Sequence, residues 1–598
     1  MGTLAMFLTM AVGCGGASLD WITAPGVRWA DLPVATGGKT GFALLDSATT
    51  GVRFTNVLDE LSGAANRVLS NGAGLAAGDV DGDGLADLFF CDLSGTNRLY
   101  RNRGDWRFED VTVSAGLDIP TPGTRGAVLA DVNGDGSLDL LLSVNGQGVQ
   151  CHLNDGHGRF QDATAAAGTA SPAGSTTMAL ADVDGDGSLD LYIANYRTDD
   201  IRDRGQVRIR MVQGRPVMTG GETNRFAMIN GRLEERGQPD RLLLNDGKGK
   251  FREVSWTDGR FLDESGKPLT EPPGDWGLTA TFRDINGDHA PDLYVCNDYW
   301  TPDRLWINDG TGRFRAAEAA ALRHLSASSM SVDFADVDRD GLVDFFVVDM
   351  LSRNPALRKR QKFAQEAASA ALAAVGERPQ QVHNTLFLNR GDGTFAEVAH
   401  YANVQATDWS WAPLFLDVDL DGFEDLLVGA GHFRDVQDFD SEAQIQARQH
   451  SWESIPNAAD RQRAFTRELM EHYRLYPPLR LPIGAFRNRG DTTFEEATAP
   501  WGLDLPGVHQ GLVSADLDLD GDLDLAVNSL NGPALLLRND SPAPRIAVRV
   551  KGAGANSQAI GATVFLRGGA VPVQRAEVVC GGRYLSGCDT LMNFACGN

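Results

Sequence analysis

ADVDGDGSLDLYIAN, residues 181–195, is the stretch whose reading decides the fold. Carboxylates stand at Asp182, Asp184, Asp186 and Asp190, which are positions 1, 3, 5 and 9 of a short loop, with Gly187 at position 6. A run of small residues precedes the loop, and a β-type run, LYIAN, follows it. The pattern D-x-[DN]-x-D-[GH]-x-x-D recurs seven times, starting at Asp79, Asp131, Asp182, Asp284, Asp336, Asp417 and Asp516. A second pattern alternates with it, apolar-N-x-G-x-x-x-F, with its Asn at 102, 154, 245, 308, 389, 488 and 539. An Asn/Asp-Gly pair between apolar runs is a hairpin signal.

The spacing predicts an architecture. From each Asp to its Asn is 23, 23, 63, 24, 53, 71 and 23 residues; from each Asn to the next Asp is 28 or 29, with one gap of 39. A unit of about 51 residues suits four short strands with tight connections. Seven units predict an all-β fold, a seven-bladed β-propeller closed by N- and C-terminal strands. Asn539 is followed by no Phe strand, and GVRFTNV around Phe54 is an orphan. That segment is expected to complete the last blade and remove an exposed sheet edge. The expected domains are a signal-type segment at 1–18, a linker at 19–44, the propeller at 45–540 and a small β module at 545–598.

Oxygen ligands at positions 1, 3, 5 and 9, with a backbone carbonyl at position 7, suit Ca²⁺, which takes six to eight oxygens. The expected ligands are Asp79, Asp81, Asp83 and Asp87; Asp131, Asn133, Asp135 and Asp139; Asp182, Asp184, Asp186 and Asp190; Asp284, Asn286, Asp288 and Asp292; Asp336, Asp338, Asp340 and Asp344; Asp417, Asp419, Asp421 and Asp425; and Asp516, Asp518, Asp520 and Asp524. Up to seven structural Ca²⁺ ions are expected. His289 replaces the position-6 Gly and Asn286 a position-3 Asp, so the fourth site is expected to be the weakest. The net charge of −26 then reads as loop chemistry, because positions 1, 3, 5 and 9 of the seven loops supply twenty-six carboxylates. An acidic chain with 42% hydrophobic residues is neither disordered nor a general nucleic-acid binder.

In this order of strands, the 1–2 loops and 3–4 turns share one face, and the 2–3 and 4–1 connections share the other. Three insertions, about 196–239, 351–383 and 431–484, all fall in 2–3 connections and are read as partly helical. Tyr196–Pro239 has nine Arg against six acids, and Leu351–His383 has six bases against two acids with an Ala-rich stretch, Ala364–Val375. Such segments bind an acidic ligand or pair with the ring's own carboxylates. The same face offers Asp275, Trp276, Asn297, Asp298, Tyr299, Trp300, Asp408, Trp409, Trp411, His432 and His509 as ligand-face candidates. Aromatic faces beside carboxylates suit sugar stacking; Trp409 and Trp411 equally suit wedging between blades. Three Arg-Gly-Asp triplets, at Arg103, Arg390 and Arg489, occupy the hairpin slot and are read as turns.

The apolar run Leu4–Val12 before Gly13-Cys14 resembles a bacterial lipoprotein signal, although no basic residue precedes Cys14. Export with lipidation at Cys14 is expected, as an outer-membrane, cell-surface or secreted protein that meets membrane only through that anchor. Six further cysteines, Cys91, Cys151, Cys296, Cys580, Cys588 and Cys596, have no zinc spacing, and their pairing is open.

The Asp loops resemble the FG-GAP (VCBS-type) repeats of integrin α-subunit propellers. SMSVDFADVDRDGLVDFFVVDML (329–351) and TDWSWAPLFLDVDLDGFEDLL (407–427) are similar to bacterial relatives of cartilage acidic protein. NSQAIGATVFL and GGRYLSGCDT resemble the ASPIC/UnbV module that closes that family. FACG at Phe594, where the family has FGLG, implies a truncated or altered cap. The leading expectation is a calcium-stabilised surface protein that binds a carbohydrate or extracellular protein. The alternatives are a polysaccharide-acting enzyme using a pair among Asp275, Asp298, Asp408, His432 and His509, and a structural envelope component. No nucleophile elbow, HExxH, phosphate loop or dinucleotide fingerprint supports catalysis.

Overall fold

The computed structural model describes residues 19–598 other than 35–36, 204–207, 213–214, 220–224, 230–231, 300, 362–377, 449–451, 453 and 598; for 208–212, 215–219, 227–229 and 232–233 it describes backbone alone. Cys14 with the 1–18 segment, Trp300 and the Ala364–Val375 stretch lie outside the described residues.

Seven antiparallel sheets follow one another around a ring. The third is typical: Ser175–Ala181, Asp190–Asn195, Arg241–Asn245 and Phe251–Glu253 pair in sequence order from the channel outward. In six blades the Asn that ends the third strand faces the Phe that starts the fourth, as Asn245 faces Phe251. The seventh blade completes this rule with Phe42 opposite Asn539, from an N-terminal strand, Phe42–Leu44. The closing strand therefore lies twelve residues upstream of Phe54 and inside the stretch expected to be a linker. Phe54 is instead core, stacked on Phe90 at 5.0 Å, and its neighbours Thr55 and Asn56 make only isolated bridges to blade seven.

The repeated Asn holds the blades together. Its side-chain amide donates to the carbonyl of loop position 2 in the preceding blade: Asn154 to Val80 at 2.7 Å, Asn245 to Val132 at 2.8 Å, and so on to Asn539 and Val418 at 3.3 Å. Asn102 donates to Leu517 at 2.9 Å and closes the circle from blade one to blade seven. In six blades a second amide bond reaches position 8 of the same blade's loop. These groups are buried, so each bond satisfies a carbonyl that water cannot reach.

The insertions sit on the 2–3 side as expected, but the described part of the first is mainly strand, with one 3-10 turn at Ile201–Asp203. It forms two hairpins, Arg208–Val212 with Arg215–Thr219 and Phe226–Ile229 with Arg232–Glu235. The third contains helices Phe439–Gln446 and Ala458–Tyr473, the second of which packs on Glu60–Ala65.

The C-terminal residues form two further strand pairs, Arg545–Val548 with Met592–Ala595 and Thr563–Arg567 with Val573–Glu577. The FACG segment is thus an ordinary strand end, with Phe594 buried. From this module the stretch 580–588 enters the channel and touches the innermost strand of every blade. Cys580 and Gly581 pair with Leu180 and Ala179, the Leu585 carbonyl accepts from Ala127, and Gly582 lies against Thr281. Arg583 pairs with Asp333, and Tyr584 packs on Trp411 at 5.2 Å. Ser586 and Gly587 bond Leu75, and Cys588 accepts from Ser514. All six cysteines are free thiols.

Asn488→Ala leaves the carbonyls of Val337 and Glu424 without their donor. Each unsatisfied buried acceptor costs about 1–3 kcal/mol, so the substitution is expected to lower stability by at least about 2 kcal/mol, read as a clear fall in the midpoint of thermal or urea unfolding. An unchanged midpoint would show that the interblade bond carries little.

Candidate metal centre

Each Asp loop is shaped by its own carboxylates. Position 1 draws the turn together: Asp182 accepts from Gly185 at 2.8 Å, Asp186 at 3.0 Å and Gly187 at 2.9 Å, and Asp79 and Asp131 repeat this. The turn needs a left-handed backbone at positions 4 and 6. Position 6 has φ of 88–97° in six loops, and 69° at His289. Position 4 is Gly in four loops, but Arg339, Leu420 and Leu519 hold the same conformation at 54–64°.

Position 9 has a second role. Its Oδ2 accepts from the position-2 amide and its Oδ1 from the backbone amide of the repeated Asn, at 2.8–3.2 Å in all seven blades. These carboxyls are fully buried, and burial pushes Asp87, Asp190, Asp292 and Asp344 up to about 8 and Asp139 to about 7. A cation opposes that shift by stabilising the charged form.

Positions 1, 3 and 9 converge in five loops. In Asp79/Asp81/Asp87, Asp182/Asp184/Asp190, Asp336/Asp338/Asp344, Asp417/Asp419/Asp425 and Asp516/Asp518/Asp524, one oxygen from each residue lies within 4.8 Å of the others. These triads could hold a metal ion such as calcium. Four of them contain a buried oxygen without a hydrogen bond: Asp184 Oδ1, Asp336 Oδ1, Asp419 Oδ1 and Asp518 Oδ1. An unsatisfied buried carboxylate oxygen is costly, and a hard divalent cation suits that need. In the first loop Arg101 lies against Asp81 instead.

Position 5 stands outside these triads. Asp83, Asp135, Asp186, Asp288, Asp340 and Asp421 each accept from the backbone two residues on. Arg487 spans Asp419 and Asp421 at 2.6 and 2.8 Å, and the fully buried Arg545 spans Asp520 and Asp522 at 2.9 Å each. Loops two and four carry Asn133 and Asn286 at position 3, where the amides donate to Asp135 and Asp288. The C-terminal module rests on these same two loops: Ser557 and Gln558 bond Asp131, and Glu577 accepts from the Asp284 amide. Nothing in the local sequence announces these long-range partners. In loop four, Asp284 accepts only from Gly287.

The ligand-face candidates are not the open aromatic platform expected of them. Trp276, Trp409 and Trp411 are all less than 7% exposed. Trp276 packs edge-on against Tyr196 and donates to the Glu235 carbonyl; Trp411 donates to the Gly431 carbonyl at 2.6 Å; Trp409 stacks on His432 at 4.1 Å. Asp275 pairs with Arg304, Asp408 with Arg353, and Asp298 accepts from the Tyr196 hydroxyl at 2.7 Å. Asn297 is buried and donates to the Pro302 carbonyl. Tyr299 is partly buried beneath Arg202. His509 bonds Ser529 and the Leu505 carbonyl, and burial lowers its pKa. The insertion arginines also turn inward, with Arg225 on Asp199 and Glu235, and Arg434 and Arg474 on Glu60. The physical reason is coverage: the 2–3 connections fold over these side chains and supply their partners. The three Arg-Gly-Asp triplets sit in the hairpin turn, with a left-handed glycine in each.

Two outcomes follow. A non-Gly residue in the left-handed region costs about 1–2 kcal/mol, so His289→Gly is expected to stabilise the chain by about 1 kcal/mol, read as a higher unfolding midpoint. Burial lowers the His432 pKa to about 4. The folded state therefore prefers neutral imidazole; this contribution is complete above the ordinary pKa near 6.5 and is lost as pH falls from there toward 4, at most about 3 kcal/mol. His432→Phe, which keeps a ring on Trp409, is expected to flatten the melting profile between pH 6.5 and 4.5. An unaltered slope would assign the acid sensitivity elsewhere.

The FG-GAP-like repeat model matches residues 79–142, 131–193, 284–347 and 372–428. Cartilage acidic protein 1 of Homo sapiens is 33% identical over 154 residues, 25% of this chain and 23% of that protein. Its Xenopus tropicalis counterpart is 31% identical over 169 residues, 27% and 26% of the two chains. The chain thus spans about a quarter of the length of these curated relatives. Among solved structures, Saccharomyces cerevisiae Sqt1 aligns with a TM-score of 0.36 at 9% identity, over 78% of this chain and 95% of that one. The blade count rests on the strand order. The chain thus carries FG-GAP-like repeats, and its strand order makes it a seven-bladed β-propeller.

Proposed function

We propose that this chain is an exported, calcium-stabilised surface-binding protein that recognises a carbohydrate or protein ligand through the insertion-bearing face. The observation that carries the reading is the division of labour between faces. The Asp-loop face holds the metal-ready triads, and the C-terminal residues rest on three of its loops. The opposite face collects every long connection, and long loops on a rigid scaffold usually carry recognition.

Ca²⁺ would be held by the five triads first, with loops two and four as weaker sites. Bound there, it would neutralise carboxylates that otherwise repel within each loop and so hold the turns. The relatives are named for cartilage; the extracellular setting, and an anchor at Cys14, are carried to this chain as part of the proposal. Among the described residues no helix is long and apolar enough to cross a membrane. With Asp275 and Asp408 each tied to an arginine, the acid/base pairs considered for catalysis have structural partners, which favours binding.

A ligand on this face would meet exposed apolar side chains such as Leu61, Ile119, Tyr401 and Phe439. A chelator is expected to lower the melting temperature by many degrees and Ca²⁺ to restore it, since binding to the folded state alone stabilises by mass action. The ectodomain on a glycan array and in pull-downs, with and without Ca²⁺, is expected to show calcium-dependent capture that Tyr401→Ala with Phe439→Ala weakens without lowering the melting temperature. Capture by the double variant equal to wild type would move the site off this face, and no chelator effect would remove calcium from the reading.

A further inference from the structure

Among the described residues, Arg125 is the one charged side chain in the channel with no hydrogen-bond partner at any of its nitrogens. It lies on the innermost strand of blade two, has 0% exposure, and its Nε, Nη1 and Nη2 all lack a hydrogen-bond partner. No carboxylate pairs with it among the described residues. The groups that bear on it electrostatically are the Tyr584 and Tyr196 hydroxyls, and both are already committed, Tyr584 to the Asn71 carbonyl and Tyr196 to Asp298. A guanidinium removed from water without an anion or acceptor costs several kcal/mol, so such a group is normally paired.

Its backbone setting is also unusual. Five of the seven innermost strands carry a register shift at the insertion-face end, between Thr124 and Gly126, Ser175 and Met178, Gly277 and Thr279, Ser410 and Ala412, and His509 and Gly511. Arg125, Trp411 and Gln510 are the extra residues at three of these bulges. Bulges re-aim side chains and gather next to functional sites. Trp411 is thereby set against Tyr584 of the channel stretch. Gln510 donates to the Ser70 carbonyl but leaves its own buried Oε1 without a donor. The same level of the channel therefore contains an unsatisfied planar cation and an unsatisfied acceptor.

We propose that the insertion-face end of the channel, above the Tyr584 ring, binds a small carboxylate that Arg125 clamps through its guanidinium fork. The fork matches a carboxylate with two parallel N–H···O bonds. This site is independent of the calcium loops and of the recognition proposed for the outer surface, so either can fail alone.

The test is a thermal-shift titration of the calcium-loaded full chain with sodium acetate against sodium chloride at matched ionic strength. Because Arg125 is enclosed, each sample is equilibrated overnight. Acetate is expected to raise the wild-type melting temperature saturably by several degrees above the chloride control. Arg125→Met, which removes the unpaired charge, is expected to match or exceed wild type in chloride and to show no acetate effect. Coincident acetate and chloride curves in wild type, or an acetate effect that persists in Arg125→Met, would overturn the proposal. Should that variant fail to fold, equilibrium dialysis of labelled acetate against wild type decides: about one equivalent bound supports the site, and none overturns it.

Discussion

The propeller depends on a pairing of one buried carboxylate with one buried amide, made seven times. The position-9 aspartate receives the backbone amide of the repeated Asn, and the Asn side chain passes the bond on to the neighbouring blade. Replacing either residue by an apolar one leaves unsatisfied the backbone groups that burial has cut off from water, at about 1–3 kcal/mol each. The pair thus ties three things in one place: the Asp loop, the third strand and the next blade. Its closing member, Asn102 to Leu517, makes the circle a circle before any apolar contact is counted.

This fixture explains where the chain tolerates additions. Asp loop and Asn end lie at the same face, and the segment between them in sequence runs out to the other face and back. Lengthening that segment leaves both ends clamped, so the connections from 195 to 241, 348 to 385 and 430 to 484 grow without disturbing the sheet. Loop-closure entropy rises only slowly with length. The opposite ends of the strands have no such freedom, because the carboxylates of one turn, and in five loops the module or an arginine, close on them.

How much could be read from sequence follows the range of the interactions. Blade number, face assignment and the Asp loops depend on spacing within about fifty residues and were legible. The triads kept positions 1, 3 and 9 and set position 5 apart, a distinction that depends on the fold of a nine-residue turn. The closing strand was misassigned because Phe42 lacks the Asn-Gly turn that precedes every other outer strand; its Asn lies almost five hundred residues away, at 539. The aromatic candidates misled for a similar reason. A Trp in a 4–1 or 2–3 connection reads as exposed until the insertion that covers it is known, and Trp276 is covered by the Glu235 segment of a distant hairpin. The channel stretch 580–588 touches seven blades through backbone atoms, Thr and Ser hydroxyls, one Arg, the Tyr584 ring and the Cys588 sulfur, none of which carries a periodic signal.

The same division sharpens the meaning of the charge. The twenty-six carboxylates at loop positions 1, 3, 5 and 9 equal the net charge of −26, which suggests that the acidity is all of one kind. The structure separates them. Seven at position 9 are buried hydrogen-bond acceptors first and ligands second; those at position 5 brace the turn or meet arginine. What remains for a cation is concentrated in the oxygens of positions 1 and 3, where the unsatisfied atoms are found. Arg225, Arg353 and Arg434 of the insertions are spent in the same way, on Asp199, Glu235, Asp408 and Glu60. Charge complementarity on this molecule is therefore mostly internal, and Arg125 stands out because none of its three guanidinium nitrogens has a partner.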